Sequence, residues 1–135
     1  MNVVFADTHY FIALINSNDS AHERAVAFSN SNSIGLLTTG WVVTELANSL
    51  KAPANRPLFS PIWNSIRKDP QITYLEPTQV LLDRGIELFC QRSDKSWSLV
   101  DCISFIVMQD HGLTEALTGD HHFEQAGFVA LLKSK

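Results

Sequence analysis

Four acidic side chains sit where a folded chain tolerates them least. Asp7, Glu45, Asp101 and Asp120 each lie within or at the end of an apolar stretch, not on a solvated face. A carboxylate in apolar surroundings is costly unless a cation or a hydrogen-bond network compensates it. Two like charges about 4 Å apart repel by roughly 1 kcal/mol in water and about 4 kcal/mol near a protein surface. A fold that gathers all four therefore implies a bound divalent metal, and with it a site for phosphate chemistry.

The spacing of apolar residues says how such a gathering can arise. Val3–Ala6 is a short apolar run ending at Asp7, as expected of a buried parallel strand. Ile34–Thr38, Ile72–Leu75 and Glu115–Thr118 read as further strands, and Phe128–Leu132 as an added edge strand. A helix should follow Asp7, with Thr8 as its cap and Phe11, Leu14 and Ile15 turned inward. Ser20-Ala21-His22-Glu23 has the pattern of a capping box and opens a helix with Ala21, Ala25 and Phe28 on one stripe. Thr39 caps a helix over Trp41–Leu50, whose core stripe is Val43, Leu46, Ala47 and Leu50, with Trp41, Glu45 and Asn48 on the adjacent face. Pro53 and Pro57 make the next stretch a loop, and Phe59–Lys68 is helical.

The second half continues the alternation. Thr78–Gln91 reads as a helix with Leu82, Ile86 and Phe89 at core spacing. Ser98, with Asp101 three residues on, opens another that runs through Gln109 and closes at His111-Gly112. Asp120 caps a short helix over His121–Ala126, stopped by Gly127. Strands alternating with helices predict an α/β fold, a central parallel sheet flanked by helices on both faces. In such sheets the site forms beyond the carboxyl ends of the strands, where the strand order reverses. Asp7 and Asp120 follow strands there, and Glu45 and Asp101 lie near the starts of helices that would flank the same crevice.

At 135 residues and 45% apolar, the chain is expected to form one domain over residues 1–135. The N-terminus has no basic lead-in, and the longest apolar run, Tyr10–Ile15, is too short to span a bilayer, so a soluble cytoplasmic protein is expected. Cys90 and Cys102 match no metal knuckle or redox pair and read as buried, reduced thiols. Ten basic against fourteen acidic residues give a net charge of −4, which argues against holding nucleic acid by bulk electrostatics. Contact with a nucleic acid must then be local, and Arg56, Arg92 and Lys95 are the candidates for it.

Taken singly, Asp101 reads equally well as a capping acid, Asp120 as an N-cap and Glu45 as an exposed helix residue. Asp7 resists such a reading, because it follows Val-Val-Phe-Ala with no lysine or arginine beside it. Together with their neighbours the four acids resemble a known family. Phe5-Ala6-Asp7-Thr8, Thr44-Glu45-Leu46, the block Arg92 to Phe105 and Ala116-Leu117-Thr118-Gly119-Asp120-His121-His122-Phe123 are similar to the PIN domains, especially the VapC-type toxins. The order Asp, Glu, Asp, Asp, with D-x-x-S in the third motif and T-x-D in the fourth, carries the resemblance over nearly the whole chain.

The resemblance implies that Asp7, Glu45, Asp101 and Asp120 form an acidic metal site, with Thr8, Ser104 and Thr118 as hydroxyls that orient the carboxylates. His9 stands where the family often has a small hydroxyl residue. All-oxygen ligation suits Mg²⁺ or Mn²⁺, and hydrolysis of an RNA phosphodiester is the implied reaction, with single-stranded RNA fitting best. A cognate antitoxin and a homodimer are also implied. Like-charge crowding predicts that at least one acid titrates high without metal. His121 and His122 adjoin Asp120 but point to different faces of a short helix, so at most one reaches the pocket. Two other classes share the predicted architecture: a phosphoacceptor receiver-like domain, which leaves Glu45 unexplained, and a non-catalytic interaction or RNA-binding domain.

Overall fold

The computed structural model describes residues 2–133. Its elements run β1 (Asn2–Ala6), α1 (Thr8–Ile15), α2 (His22–Ser29), β2 (Ile34–Thr39), α3 (Gly40–Ser49), a 3₁₀ turn (Arg56–Leu58), α4 (Phe59–Lys68), β3 (Ile72–Leu75), α5 (Gln79–Gln91), α6 (Leu99–Asp110), β4 (Glu115–Leu117), α7 (His121–Gln125) and β5 (Val129–Ala130). The five strands form one sheet in the order β3-β2-β1-β4-β5, and every neighbouring pair is parallel. Val4 pairs with Leu36 on one side of β1, and Phe5 with Ala116 on the other. The order reverses between β1 and β4, so the crevice expected from the alternation lies at their carboxyl ends.

The central strands are apolar without alternation because helices cover both faces of the sheet. Val4, Phe5 and Ala6 are all buried, as are Ala116 and Leu117. Every residue of α6 from Asp101 to Met108 is buried too, the mark of a helix packed on all sides. Helix α5 lies against it at Gly85, where an added Cβ would stand 2.3 Å from Ile103 Cγ1. Below the site Phe105 packs edge-on against Phe123 (4.9 Å) and Trp97 (5.0 Å). Such aromatic pairs contribute about 0.5–1.5 kcal/mol each beyond their buried area, so they fix α6 and α7 relative to each other.

Several local expectations shift. The box at Ser20 does not form: Ala21 is the N-cap of α2 with no side-chain cap, and its backbone N–H donates instead to Asp19 Oδ1 at 2.8 Å. In α1 the buried residues are Thr8, Tyr10, Phe11 and Ala13, so Leu14 and Ile15 are only half-buried. In α3 the buried stripe passes through Val42, Leu46 and Leu50, leaving Val43 and Ala47 at its margin. Ile86 and Phe89 are exposed, because α5 meets α6 through small Gly85 and not through the larger side chains. Cys102 is buried and free, but Cys90 is exposed on α5. Among the described residues no helix is long and apolar enough to cross a membrane.

Candidate active site

β1 delivers Asp7 to the N-cap position of α1, yet the carboxylate makes no side-chain capping bond there. Its Oδ2 accepts instead from the Thr118 hydroxyl at 2.8 Å, across 111 residues of sequence. Thr8, the first residue of α1 and not its cap, donates its hydroxyl to Glu45 Oε1 at 2.5 Å. His9 Nδ1 accepts from the Gly119 backbone N–H at 2.8 Å. Three consecutive residues therefore tie the end of β1 to α3 and to the segment leaving β4.

The other side of the crevice rests on α6. Asp101 is the third residue of that helix and closes a full capping box: its N–H donates to Ser98 Oγ at 3.0 Å, and its Oδ2 accepts from the Ser98 N–H at 3.1 Å. The same Oδ2 lies 3.1 Å from His122 Nδ1, and Asp120 Oδ1 lies 3.4 Å from that nitrogen. Asp120 caps α7 as expected, accepting from the His122 N–H at 2.9 Å, while its own N–H donates to Thr118 Oγ1 at 3.1 Å. Thr118 thus serves both sides. His121, 63% exposed, brings Nδ1 within 3.6 Å of Asp120 Oδ1, whereas His122 faces both Asp120 and Asp101.

Burial makes Asp7 the strained member. Desolvation pushes its carboxyl up to about 7, with Glu45 and Asp101 adding to the rise and the bonds from Thr118 and the Thr8 backbone opposing it. The elevated acid predicted from crowding is therefore Asp7, but burial is the leading cause and like charge the lesser one. Ser104, one turn beyond Asp101 on α6, is buried with its hydroxyl unpartnered among the described residues.

A divalent cation fits this donor set. Asp120, His121 and His122 each bring one ligand atom within 4.8 Å of the others, and among the described residues no three of the four acids meet that spacing. Glu45 and Asp101 stand near enough to Asp7 to raise it, but among the described residues the acids form no closed cage. Such an arrangement suits a hydrated divalent cation that uses one or two carboxylates together with a phosphate. A buried carboxyl whose hydrogen bonds do not offset its desolvation, and an orphaned hydroxyl, are what a hydrated cation would relieve.

The basic candidates lie outside this cluster. Arg92 makes a two-pronged ion pair with Asp94 (2.9 and 3.0 Å) and stacks over Trp97, 4.9 Å from the ring centre. Arg56 donates Nε–H to the Lys51 carbonyl at 2.6 Å and helps line a groove with Asn48, Lys51 and Phe59 at the end of α3. Lys95 is half-buried in the same turn as Arg92, its backbone N–H donating to the Arg92 carbonyl at 3.1 Å. Trp97 is a core residue whose indole N–H donates to Gln125 at 2.9 Å, so it is not a base-stacking platform. Sequence reasoning set His122 aside and saw His9 only as a departure. A helix-start histidine carries no local sign that it will face an acid twenty-one residues away.

This geometry is that of a nuclease-like acidic crevice at the switch point of a parallel sheet. The PIN domain family model matches residues 4–129, and the chain belongs to that family. At the level of individual proteins, the chain is 27% identical to the 23S rRNA-specific endonuclease VapC20 of Mycobacterium tuberculosis over 127 residues, covering 94% of this chain and 96% of the relative. The crystal structure of that protein, described as a Sarcin-Ricin loop cleaving toxin, superposes with a TM-score of 0.82 at 26% identity, over 93% of this chain and 96% of that one. FitAcB from Neisseria gonorrhoeae shares the fold, with a TM-score of 0.63 at 17% identity and 94% of each chain covered.

Proposed function

We propose that the protein is a metal-dependent endoribonuclease of the VapC type that hydrolyses RNA phosphodiester bonds, and that it is the toxin of a type II toxin-antitoxin pair. The observation that carries this reading is the buried Asp7 carboxyl at the β1–β4 switch point, bonded to Thr118 with Glu45 and Asp101 beside it. A carboxyl held in that environment is stable as an anion only opposite a cation. Asp7, Glu45, Asp101 and Asp120 would hold Mg²⁺ or Mn²⁺, and Thr8 and Thr118 would orient two of those carboxylates. Ser104 would donate to a group brought in with the ion. When bound, the ion supplies an activated water and neutralises charge at the scissile phosphate.

The substrate class follows from the relatives and from charge. The nearly full-length similarity to an rRNA-specific endonuclease favours an exposed loop of ribosomal RNA, whose splayed bases leave the phosphate accessible. With a net charge of −4 the protein needs local cations for this, and Arg56, Arg92 and Lys95 would provide them. A cognate antitoxin covering the crevice and a homodimer belong to the same reading. Val80, Ile86 and Phe89, apolar and exposed on α5, support a further protein contact.

Incubating the pure protein with ribosomes and with naked ribosomal RNA, in Mg²⁺ or Mn²⁺, tests the assignment. Discrete cuts mapped by primer extension, absent with chelator and absent for Asp101→Asn, are expected. Intact RNA under all these conditions would leave the acidic crevice without this activity.

A further inference from the structure

Asp7, Thr8 and His9 each grip a different part of the site, and the third grip has no counterpart in the acidic motifs. His9 Nδ1 accepts the Gly119 N–H at 2.8 Å, so the ring proton resides on Nε2. That nitrogen faces Asp19 Oδ1 at 3.6 Å, beyond hydrogen-bond range but close enough to favour this tautomer. Asp19 is itself held by the Ala21 N–H at 2.8 Å. Gly119 lies between Thr118, which bonds Asp7, and Asp120. Its lack of a side chain is explained by the same contact: a Cβ there would stand 2.6 Å from His9 Cε1 and 2.9 Å from Nδ1.

We infer that His9 is a positioning residue that clamps the Thr118–Asp120 segment against the start of α1 and so sets the distance between Asp7 and Asp120. Without the clamp, Thr118 still bonds both Asp7 and the Asp120 N–H, but the Gly119 peptide between them loses its tie to the start of α1. The clamp therefore preorganises the two sides of the crevice for one cation. The inference rests on the metal-site reading for its consequence, whereas the clamp itself is a contact between His9 and Gly119 that exists without metal.

The test uses full-length protein and two readouts. Mn²⁺ binding measured by calorimetry without RNA should weaken about tenfold in His9→Ala. It should recover in His9→Asn, whose Oδ1 takes the place of Nδ1 as acceptor, and not in His9→Gln, whose amide reaches the Nε2 position. Thermal melting of metal-free protein should show that Gly119→Ala is harmful beside His9 and tolerated in the His9→Ala background. Equal harm in both backgrounds, or wild-type Mn²⁺ affinity in His9→Ala, would overturn the clamp. Absence of Mn²⁺ binding by wild-type protein with the Gly119 coupling intact would instead overturn the metal reading and leave the contact standing.

Discussion

Asp7 and Asp120 both follow strands of the same sheet, β1 and β4, yet their surroundings differ sharply. Asp7 is 7% exposed and its carboxyl is pushed up to about 7, whereas the Asp120 side chain is 36% exposed and caps a helix. On the Asp7 side, hydroxyls from Thr8 and Thr118 reach the carboxylates across long sequence separations. On the Asp120 side, the partners are a short helix and His122. Electrostatic strain is therefore stored on one side, while the other stays open to solvent and substrate.

The strongest way to break this contrast is to neutralise each acid in turn. Both Asp7→Asn and Asp120→Asn should abolish cleavage, but their metal-free stabilities should diverge. Folded Asp7 binds a proton up to about pH 7, while its unfolded counterpart releases it near 3.8. Between those values the folded state holds more protons, so stability is whole below pH 3.8 and is lost as the pH rises through 7. Asp7→Asn should therefore gain on the order of 2 kcal/mol at pH 8 and flatten the pH dependence. Asn caps a helix as well as Asp does, so Asp120→Asn should stay within about 0.5 kcal/mol of wild type. Urea titrations at pH 5 and pH 8 decide it, and an Asp7→Asn protein less stable than wild type at pH 8 would make Asp7 a structural acid.

A smaller effect sharpens the roles of the hydroxyls. Thr118→Val removes the bond that opposes the rise at Asp7, so the pH at which stability is lost should move up and Mn²⁺ affinity should drop about tenfold. Thr8→Val frees Glu45 and should weaken Mn²⁺ similarly. In the Thr8 variant the pH profile should stay in place, and a shifted profile would mean that Glu45 couples to Asp7 more strongly than its minor share of the rise implies. The smallest effect lies outside both sides. Replacing Arg56, Arg92 and Lys95 together by alanine should flatten the salt dependence of RNA binding by up to about two in log–log slope, at roughly 0.7 per contact. Arg92 should contribute least, since Asp94 already occupies its guanidinium. An unchanged slope in the catalytically dead Asp101→Asn background would remove all three from the RNA path.

Much of this architecture is legible from pattern alone. The strands from Val3, Ile34 and Ile72, the Ser98–Asp101 box and the Asp120 cap rest on local chemistry, so a single sequence suffices to place them. What escaped depended on neighbours distant along the chain. The apolar residues of α5 pointed to Ile86 and Phe89 as core, but contact with α6 is made where Gly85 lets Ile103 approach. The Ser20 box is the local exception: Ala21, not Ser20, is the N-cap of α2, and its N–H bonds Asp19 two residues back. The acids themselves were visible because carboxylates interrupting apolar runs are anomalous, whereas histidines at helix starts are ordinary until the fold sets them opposite a carboxylate.

The 111-residue span between Asp7 and Thr118 has a consequence for when the protein becomes competent. β1 sits in the middle of the sheet, but one of its neighbours, β4, is among the last elements made. Closure of that pair is a long-range event, slow compared with local helix formation. A chain still in synthesis has α1, α3 and the first three strands but lacks both β4 and Asp120, so its Asp7 has neither its hydroxyl partner nor its opposing acid. On the proposed site assignment, a fragment ending before residue 120 is expected to cleave no RNA, which a truncation series assayed beside Asp120→Asn checks.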